Sequence, residues 1–165
     1  MSAAKGGDRM RERYCFFNVD GLLNRSSDWN KPFTINYELA KAFCFFLSSN
    51  SLIPVLSSSW RIGFNKANDE ANAPYIKELE GIFSECGLKI HDKTPFLRGR
   101  TREKEIERFL YFNRPGNYIV IDGDREEYAK YNDHVIFINP DVGFTVTDAK
   151  KAGKLLHRLD KKIAG

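Results

Sequence analysis

The stretch YCFFNVDGLLN, residues 14–24, decides which fold the chain is expected to adopt. Its first part is a short apolar run rich in aromatic residues, and Asp20-Gly21 closes that run with a turn signal. This pattern predicts a buried strand over residues 14–19. Asn18 and Asp20 would then lie at the strand's carboxyl end, and this is the edge where α/β proteins place their ligand sites.

The rest of the chain alternates strand-like and helix-like segments. Strands separated by helices imply right-handed crossovers and a mainly parallel sheet with helices on both faces. Pro54 weakens the second strand, because proline has no N–H to donate to a ladder. The further predicted strands cover 52–56, 88–92, 118–122 and 135–138, and the predicted helices cover 34–48, 74–87, 101–112 and 146–163.

Composition favours one globular domain. The chain has 165 residues, 42% hydrophobic residues and a formal charge of +4, which excludes a disordered chain and does not by itself identify a nucleic-acid binder. We expect a flexible basic arm over residues 1–13 and a single domain over 14–165. We expect reduced thiols at Cys15, Cys44 and Cys86, and their spacing does not match a zinc site. No apolar run is long enough to cross a membrane, so we expect a cytoplasmic protein.

Polar residues follow three of the predicted strands or precede a helix. Ser57 and its neighbours follow the second strand, Asp122-Gly123-Asp124 follow the fourth, and the basic run RGRTREK, residues 98–104, precedes a helix. Taken singly, these are ordinary turns and caps. When carboxylates gather at one edge of a sheet, they are expected to bind a hard cation such as Mg²⁺. Hydroxyls at the start of a helix are expected to bind a phosphate.

These segments resemble the haloacid dehalogenase (HAD) superfamily of phosphohydrolases. More narrowly, the chain looks like the small HAD domains of the Swiss Army Knife RNA-repair proteins. The resemblance runs from about Tyr14 to Leu159. The matching motifs are FFNVDGLLN, PVLSSSWR, RTREKEIERFL and YIVIDGD, with GFTVTDAKKAGKLL as the closing segment.

The resemblance implies a Rossmann-like three-layer α/β sandwich and Mg²⁺-dependent phosphatase chemistry through an aspartyl-phosphate. Asn18 matches the nucleophile position, and Asp20 matches the general acid/base. Ser57 matches the hydroxyl that holds the phosphoryl oxygens. Arg102 or Lys104 matches the basic third-motif residue, and spacing alone does not choose between them. The implied metal ligands are Asn18, Asp20, Asp122 and Asp124.

Two departures from the family pattern stand out. Gly123 occupies a position where many relatives have a second acid, so Asp124 is expected to take that part. Asn18 replaces the attacking aspartate, and an amide has almost no nucleophilicity, so we expect this chain to be inactive or strongly impaired. An engineered substrate-trapping change and a natural loss of catalysis both explain Asn18. The retained Asp20, Ser57 and Asp122 favour the first.

The short gaps between motifs leave no room for a large cap domain. An open site favours a large phosphorylated substrate, and the resemblance points to a nucleotide or to an RNA or DNA end. Stacking on Trp60 and a row of arginines would serve such a substrate. The alternative for these residues is a core tryptophan with solvated arginines. The candidate substrate-binding residues are Ser58, Trp60, Arg61, Arg98 and Arg100.

Two readings from other classes stay open. One is a non-catalytic phosphate-binding module derived from a phosphatase. The other is an RNA-binding module that uses the basic C-terminal helix, which predicts salt-dependent binding to RNA without a terminal phosphate.

Overall fold

The computed structural model describes residues 12–164, so most of the arm expected over residues 1–13 lies outside the described residues. Residues 12–164 form a five-stranded sheet and four α-helices. The strands are β1 (Arg13–Phe17), β2 (Ile53–Leu56), β3 (Asp92–Lys93), β4 (Asn117–Asp122) and β5 (Val135–Phe137). The helices are α1 (Tyr37–Ser49), α2 (Pro74–Ser84), α3 (Arg102–Phe112) and α4 (Val146–Ala164).

The sheet is parallel, with the strand order β3-β2-β1-β4-β5. The central strand β1 pairs on one side with β2 and on the other with β4, so that Phe17 lies between Leu56 and Ile121. The chain first builds outward through β2 and β3 and then returns to the other side of β1. The boundary between β1 and β4 is therefore a topological switch point, where open α/β sheets bind ligands beyond the strand ends.

The two faces of the sheet are covered by different helices. Cys15 and Phe17 point into a core shared with α1, α2 and α4, whereas Phe16 points into a smaller core with Ile106 and Phe109 of α3. Successive side chains of a strand point to opposite faces, so a strand that is buried on both faces must be apolar throughout. The predicted three-layer α/β architecture is confirmed.

The third strand is shorter than its predicted span of 88–92. Ile90 is buried, but regular pairing with β2 covers only Asp92 and Lys93. The main-chain carbonyl of Pro54 accepts a hydrogen bond from the His91 N–H at 2.9 Å, so Pro54 faces β3 with its hydrogen-bonding side. Because proline has no N–H to offer on that side, regular pairing begins only at the next residue, Val55.

Each of the three longest connections between strands contains a single α-helix within residues 12–164. This agrees with the expected lack of a large cap domain. None of the helices in this described part of the chain is long and apolar enough to cross a membrane.

Candidate active site

A tight turn follows β1 and brings Asp20 back over the end of the sheet. The N–H groups of Leu22 and Leu23 both donate to the Val19 carbonyl, and Gly21 adopts a φ of +87°. A Cβ at Gly21 would lie 2.9 Å from Cβ of Pro140. Glycine is therefore required here for its left-handed backbone and for the close approach of the loop after β5.

Asn18 connects the ends of β1 and β4. Its side-chain amide N–H₂ donates to the Asp20 main-chain carbonyl at 2.9 Å and to Oδ1 of Asp122 at 3.4 Å. Asn18 is 8% exposed and Asp122 is 1% exposed, so these contacts lie almost out of solvent. A carboxylate at position 18 would put a second negative charge where the amide now donates, which would require a nearby cation.

Asp122 is the most heavily hydrogen-bonded carboxylate of the site. Arg102 reaches its Oδ2 at 3.1 Å, the Tyr128 hydroxyl donates to the same oxygen at 2.8 Å, and the Asp124 N–H donates to Oδ1 at 3.1 Å. Burial raises the pKa of Asp122, and the Arg102 charge and these hydrogen bonds oppose that rise. Burial likewise works against the charge of Arg102, but Asp122, Tyr128 and Glu127 together more than offset this, and the pKa of Arg102 lies above its ordinary value.

The carboxylate of Asp20 is held from one side only. Within residues 12–164, its side-chain hydrogen bonds both fall on Oδ1, from Nδ2 of Asn24 at 3.0 Å and from Nε1 of Trp60 at 3.2 Å. The second oxygen is therefore left to accept from, or donate to, a ligand. This arrangement suits a general acid/base, which needs a fixed carboxyl group with one unengaged oxygen.

Ser57 follows β2 and lies beside the end of β1, because its N–H donates to the Phe17 carbonyl at 2.9 Å. Its side chain is buried, yet the hydroxyl has no hydrogen-bond partner within the described residues. Buried hydroxyls are rarely left unpaired, so this one fits a group that is supplied by a ligand. The neighbouring Ser58 differs, since its hydroxyl accepts from the Trp60 N–H at 3.1 Å and caps the following turn.

A cavity of about 320 Å³ opens over these strand ends. Its size is at the lower end of the range for small-molecule sites. Asn18, Asp20, Arg102 and Asp124, four of the residues singled out from the sequence, come together in its wall. The lining residues are Asn18, Asp20, Trp29, Arg102, Gly123, Asp124 and Pro140.

The structure separates the two candidates for the basic third-motif residue. Arg102 is the first residue of α3 and lines the cavity. Lys104 lies two residues further on, does not line the cavity and pairs with Glu107 across the exposed surface of α3 at 3.2 Å. Two positions apart on a helix, these side chains must point in different directions, and only the packing of α3 shows that Arg102 is the one that faces the cavity.

The predicted substrate-binding set is largely dispersed. Trp60 is 1% exposed and Arg61 is 8% exposed, so neither ring nor guanidinium faces an open groove. Arg61 instead pairs with Glu105 at 2.9 Å in the protein interior. Trp60 is therefore a core residue and not an open stacking surface. Arg98 and Arg100 are exposed and lie outside the cavity wall.

Gly123 also has a structural explanation. A Cβ at this position would lie 2.9 Å from Cγ of Pro140 and 3.3 Å from the Ile138 carbonyl. A larger side chain would have to displace the loop that follows β5, which explains why a second acid does not stand directly after Asp122. Asp124 takes up the next position, with its carboxylate half exposed and 3.9 Å from Arg102.

Sequence reasoning missed Asn24, Trp29, Tyr128 and Pro140. Asn24 and Trp29 lie in the loop after β1 and look like ordinary polar and aromatic loop residues. Tyr128 contacts Asp122 only because the chain after β4 turns back through a 3-10 helix at Arg125–Glu127. No local signal distinguishes any of them, because it is the conformation of the loops after β1, β4 and β5 that brings them to the site.

The oxygen atoms at the strand ends fit a hard divalent cation by type. The amide oxygen of Asn18, the main-chain carbonyl of Asp20 and the carboxylate of Asp122 are all ligands that Mg²⁺ accepts. No three His, Cys, Asp or Glu side chains within residues 12–164 gather as a metal cluster. A cation here would therefore depend on the main-chain and amide oxygens as well as on Asp122.

A family model described as "HAD domain in Swiss Army Knife RNA repair proteins" matches residues 14–149 of the chain. The matched range includes every residue of the cavity wall. No curated protein and no solved structure matches the chain significantly.

Proposed function

The chain belongs to the family of HAD domains found in Swiss Army Knife RNA repair proteins, and we propose that its cavity binds the phosphate of a nucleotide or of a nucleic-acid end. Membership of this family makes the chain a HAD-type, phosphatase-related domain. The observation that supports this proposal is the cluster of Asn18, Asp20 and Asp122 at the β1–β4 switch point. Asn18 and Asp20 line one cavity together with Arg102, which pairs with the buried Asp122.

We propose Mg²⁺ as the cofactor of this site. Asn18 through its amide oxygen, Asp20 through its main-chain carbonyl and Asp122 through its carboxylate would hold the ion, with Asp124 nearby. The donor set consists of oxygens only, which suits a hard cation. When bound, the ion would neutralise part of the charge on the phosphate.

Three side chains of the site would act directly on the phosphate group and on the leaving oxygen. The Arg102 guanidinium donates hydrogen bonds to phosphoryl oxygens and offsets the charge that develops on them. The Ser57 hydroxyl donates to another phosphoryl oxygen and thereby gains the partner that it lacks among residues 12–164. Asp20 protonates the leaving oxygen through its unengaged carboxyl oxygen, and in the deprotonated form it would activate water.

Asn18 interrupts this sequence at the attacking step. An aspartate at this position would form the aspartyl-phosphate, with its carboxylate oxygen attacking phosphorus and the leaving oxygen taking a proton from Asp20. The Asn18 amide has no negative charge and does not attack. The chain therefore binds a phosphate monoester far better than it hydrolyses one.

The test is Asn18→Asp, assayed with p-nitrophenyl phosphate and Mg²⁺. Turnover should rise by roughly three orders of magnitude or more, since loss of a nucleophile costs at least that much in hydrolases that use one. Asn18→Asp combined with Asp20→Asn is the matched control and should remain inactive. A folded Asn18→Asp protein without any gain in turnover would contradict the phosphatase proposal.

Thermal melting gives a second readout of the same substitution. An aspartate at position 18 would lie beside the buried Asp122 carboxylate, with which the amide now makes its 3.4 Å contact. Two carboxylates this close repel each other unless a cation intervenes. Mg²⁺ should therefore raise the melting temperature of Asn18→Asp clearly more than that of the chain with Asn18.

The amide contacts of Asn18 also favour a second candidate, a non-catalytic phosphate-binding module. The Asn18 N–H₂ already occupies the Asp20 carbonyl and one oxygen of Asp122, so these groups are satisfied without a cation. Such a module would bind phosphate equally well after Mg²⁺ is removed by EDTA. It would also stay inactive as Asn18→Asp.

A further inference from the structure

Trp29 differs from every other residue of the cavity wall because it is the one aromatic side chain among those that line the cavity within the described residues. Trp29 is 49% exposed, whereas Trp60, the other tryptophan of the chain, is buried. An indole ring that is half open to solvent and shares a cavity with Arg102 and Asp124 is available to contact a ligand that these charged groups hold.

The indole ring is fixed relative to the catalytic carboxyl group by a buried asparagine. Nε1 of Trp29 donates to Oδ1 of Asn24 at 3.0 Å, and Nδ2 of the same Asn24 donates to Oδ1 of Asp20 at 3.0 Å. Asn24 is 1% exposed and also donates to the Thr34 carbonyl at 2.8 Å. One side chain therefore sets the positions of both the ring and Asp20.

The backbone that carries the ring is also held in place. Trp29 follows a 3-10 helix at Ser26–Asp28, and its N–H donates to the Ser26 carbonyl at 3.1 Å. The Ser26 N–H donates to the Pro140 carbonyl at 2.9 Å, and Nε of Arg25 donates to the Val142 carbonyl at 2.9 Å. These bonds attach the loop to the segment after β5, so little further ordering is needed when a ligand binds.

We infer that Trp29 is a stacking platform for the nucleobase of a nucleoside phosphate whose phosphate group lies at Arg102, an inference that rests on the proposed function. A fixed, half-exposed indole face next to a phosphate site is the arrangement that binds bases without reading their sequence. The ring's polar edge is already occupied by Asn24, so the apolar face is what remains for the ligand. Trp29 then selects ligands that carry a base over phosphates of plain sugars.

The first experiment measures the contribution of the base by titration calorimetry in a buffer that contains Mg²⁺. The full chain with Asn18 should bind adenosine 5′-monophosphate about tenfold more tightly than ribose 5-phosphate, in keeping with the usual strength of a base–aromatic stack. Trp29→Ala should reduce this difference to about twofold or less, whereas Trp29→Phe should keep most of it. Tyr131→Ala is the matched control, because Tyr131 is 88% exposed and lies outside the cavity wall.

Tryptophan fluorescence tests stacking directly, since the chain contains two tryptophans and Trp60 is buried. Adenosine 5′-monophosphate should quench the emission of Trp29, and ribose 5-phosphate should quench it much less. Trp29→Phe leaves only Trp60 and should abolish the nucleotide-dependent quenching. Circular dichroism of each variant shows that it is folded, so that a lost signal reports on the ring and not on unfolding.

The outcomes separate this inference from the function on which it rests. The stacking inference is wrong if the two ligands bind equally and Trp29→Ala changes neither affinity. If Arg102→Lys lowers both affinities in that case, the proposed phosphate site is still supported. If neither ligand binds, both are wrong.

A 5′-phosphorylated oligoribonucleotide distinguishes a nucleic-acid end from a free nucleotide as the ligand that supplies the base. Tighter binding than the mononucleotide, sensitive to Trp29→Ala, assigns the platform to a nucleic-acid end, and equal binding assigns it to a free nucleotide.

Discussion

Two arginine–carboxylate pairs lie largely buried in the part of the chain that the structure describes, and they differ in whether a ligand can reach them. Arg61 pairs with Glu105 at 2.9 Å, and their side chains are 10% and 3% exposed. Arg102 pairs with Asp122 at 3.1 Å, but the Arg102 side chain is 22% exposed and lines the cavity. The same two chemical groups therefore form a closed pair in one place and a pair with an open side in the other.

The surroundings of the two pairs explain their different parts. Oε2 of Glu105 also accepts from the Leu97 N–H at 2.9 Å, so this carboxylate joins the loop before α3 to Arg61 after β2. That pair holds elements of the fold together. Arg102 instead faces the space in front of Asn18, and a phosphate that entered there would share the guanidinium with Asp122. Exposure of one side of the ion pair is what makes a binding role available.

The largest expected effect comes from breaking the closed pair. Glu105→Gln leaves the Arg61 charge buried without its counter-charge, which should cost about 3 kcal/mol of the free energy of unfolding. For a chain of this length the melting temperature should fall by about 10 °C, as measured by calorimetry. Glu107→Gln on the same helix is the matched control, because its pair with Lys104 is exposed and worth at most about 1 kcal/mol. Equal melting temperatures for the two variants would contradict the structural role of the Arg61 pair.

A smaller effect is expected from Arg102→Lys, and it should appear in binding rather than in stability. Lysine keeps a positive charge beside Asp122 but loses the planar fork that donates two parallel hydrogen bonds to a phosphate. Affinity for ribose 5-phosphate should fall about tenfold by titration calorimetry. Arg61→Lys is the matched control, and it should lower the melting temperature without lowering the affinity for ribose 5-phosphate. The opposite pattern would mean that the phosphate lies at the other arginine.

The smallest effect is expected at Ser57, whose hydroxyl lacks a partner within residues 12–164. Ser57→Ala removes a donor to the ligand, so affinity for ribose 5-phosphate should fall about fivefold, while the melting temperature should hold or rise slightly. Ser58→Ala is the matched control, because the Ser58 hydroxyl accepts a hydrogen bond from the Trp60 N–H. Losing this cap should cost about 1 kcal/mol of stability and leave the affinity as it was. Ser57→Ala that binds as tightly as the parent chain would place the phosphate away from β2.

Much of the fold was predictable from local pattern. Apolar strands, amphipathic helices and turn residues alternate clearly enough that the parallel α/β sandwich and the HAD family were both inferred from sequence and are confirmed. The meeting of Asn18, Asp20 and Asp122 was predictable as well, because parallel strands bring their carboxyl ends to one edge. Their catalytic and metal-binding roles remain predictions.

Local sequence pattern is enough to predict where the strands form and which polar residues follow them, including the amide at position 18. Long-range packing, in contrast, places Arg102 rather than Lys104 in the cavity wall and pairs Arg61 with Glu105. It also leaves Trp29 exposed and buries Trp60. Hydrophobic periodicity specifies only which side of a helix or strand is buried. The reach and partners of a long side chain depend on which other segments pack around it, and those segments are far away in sequence.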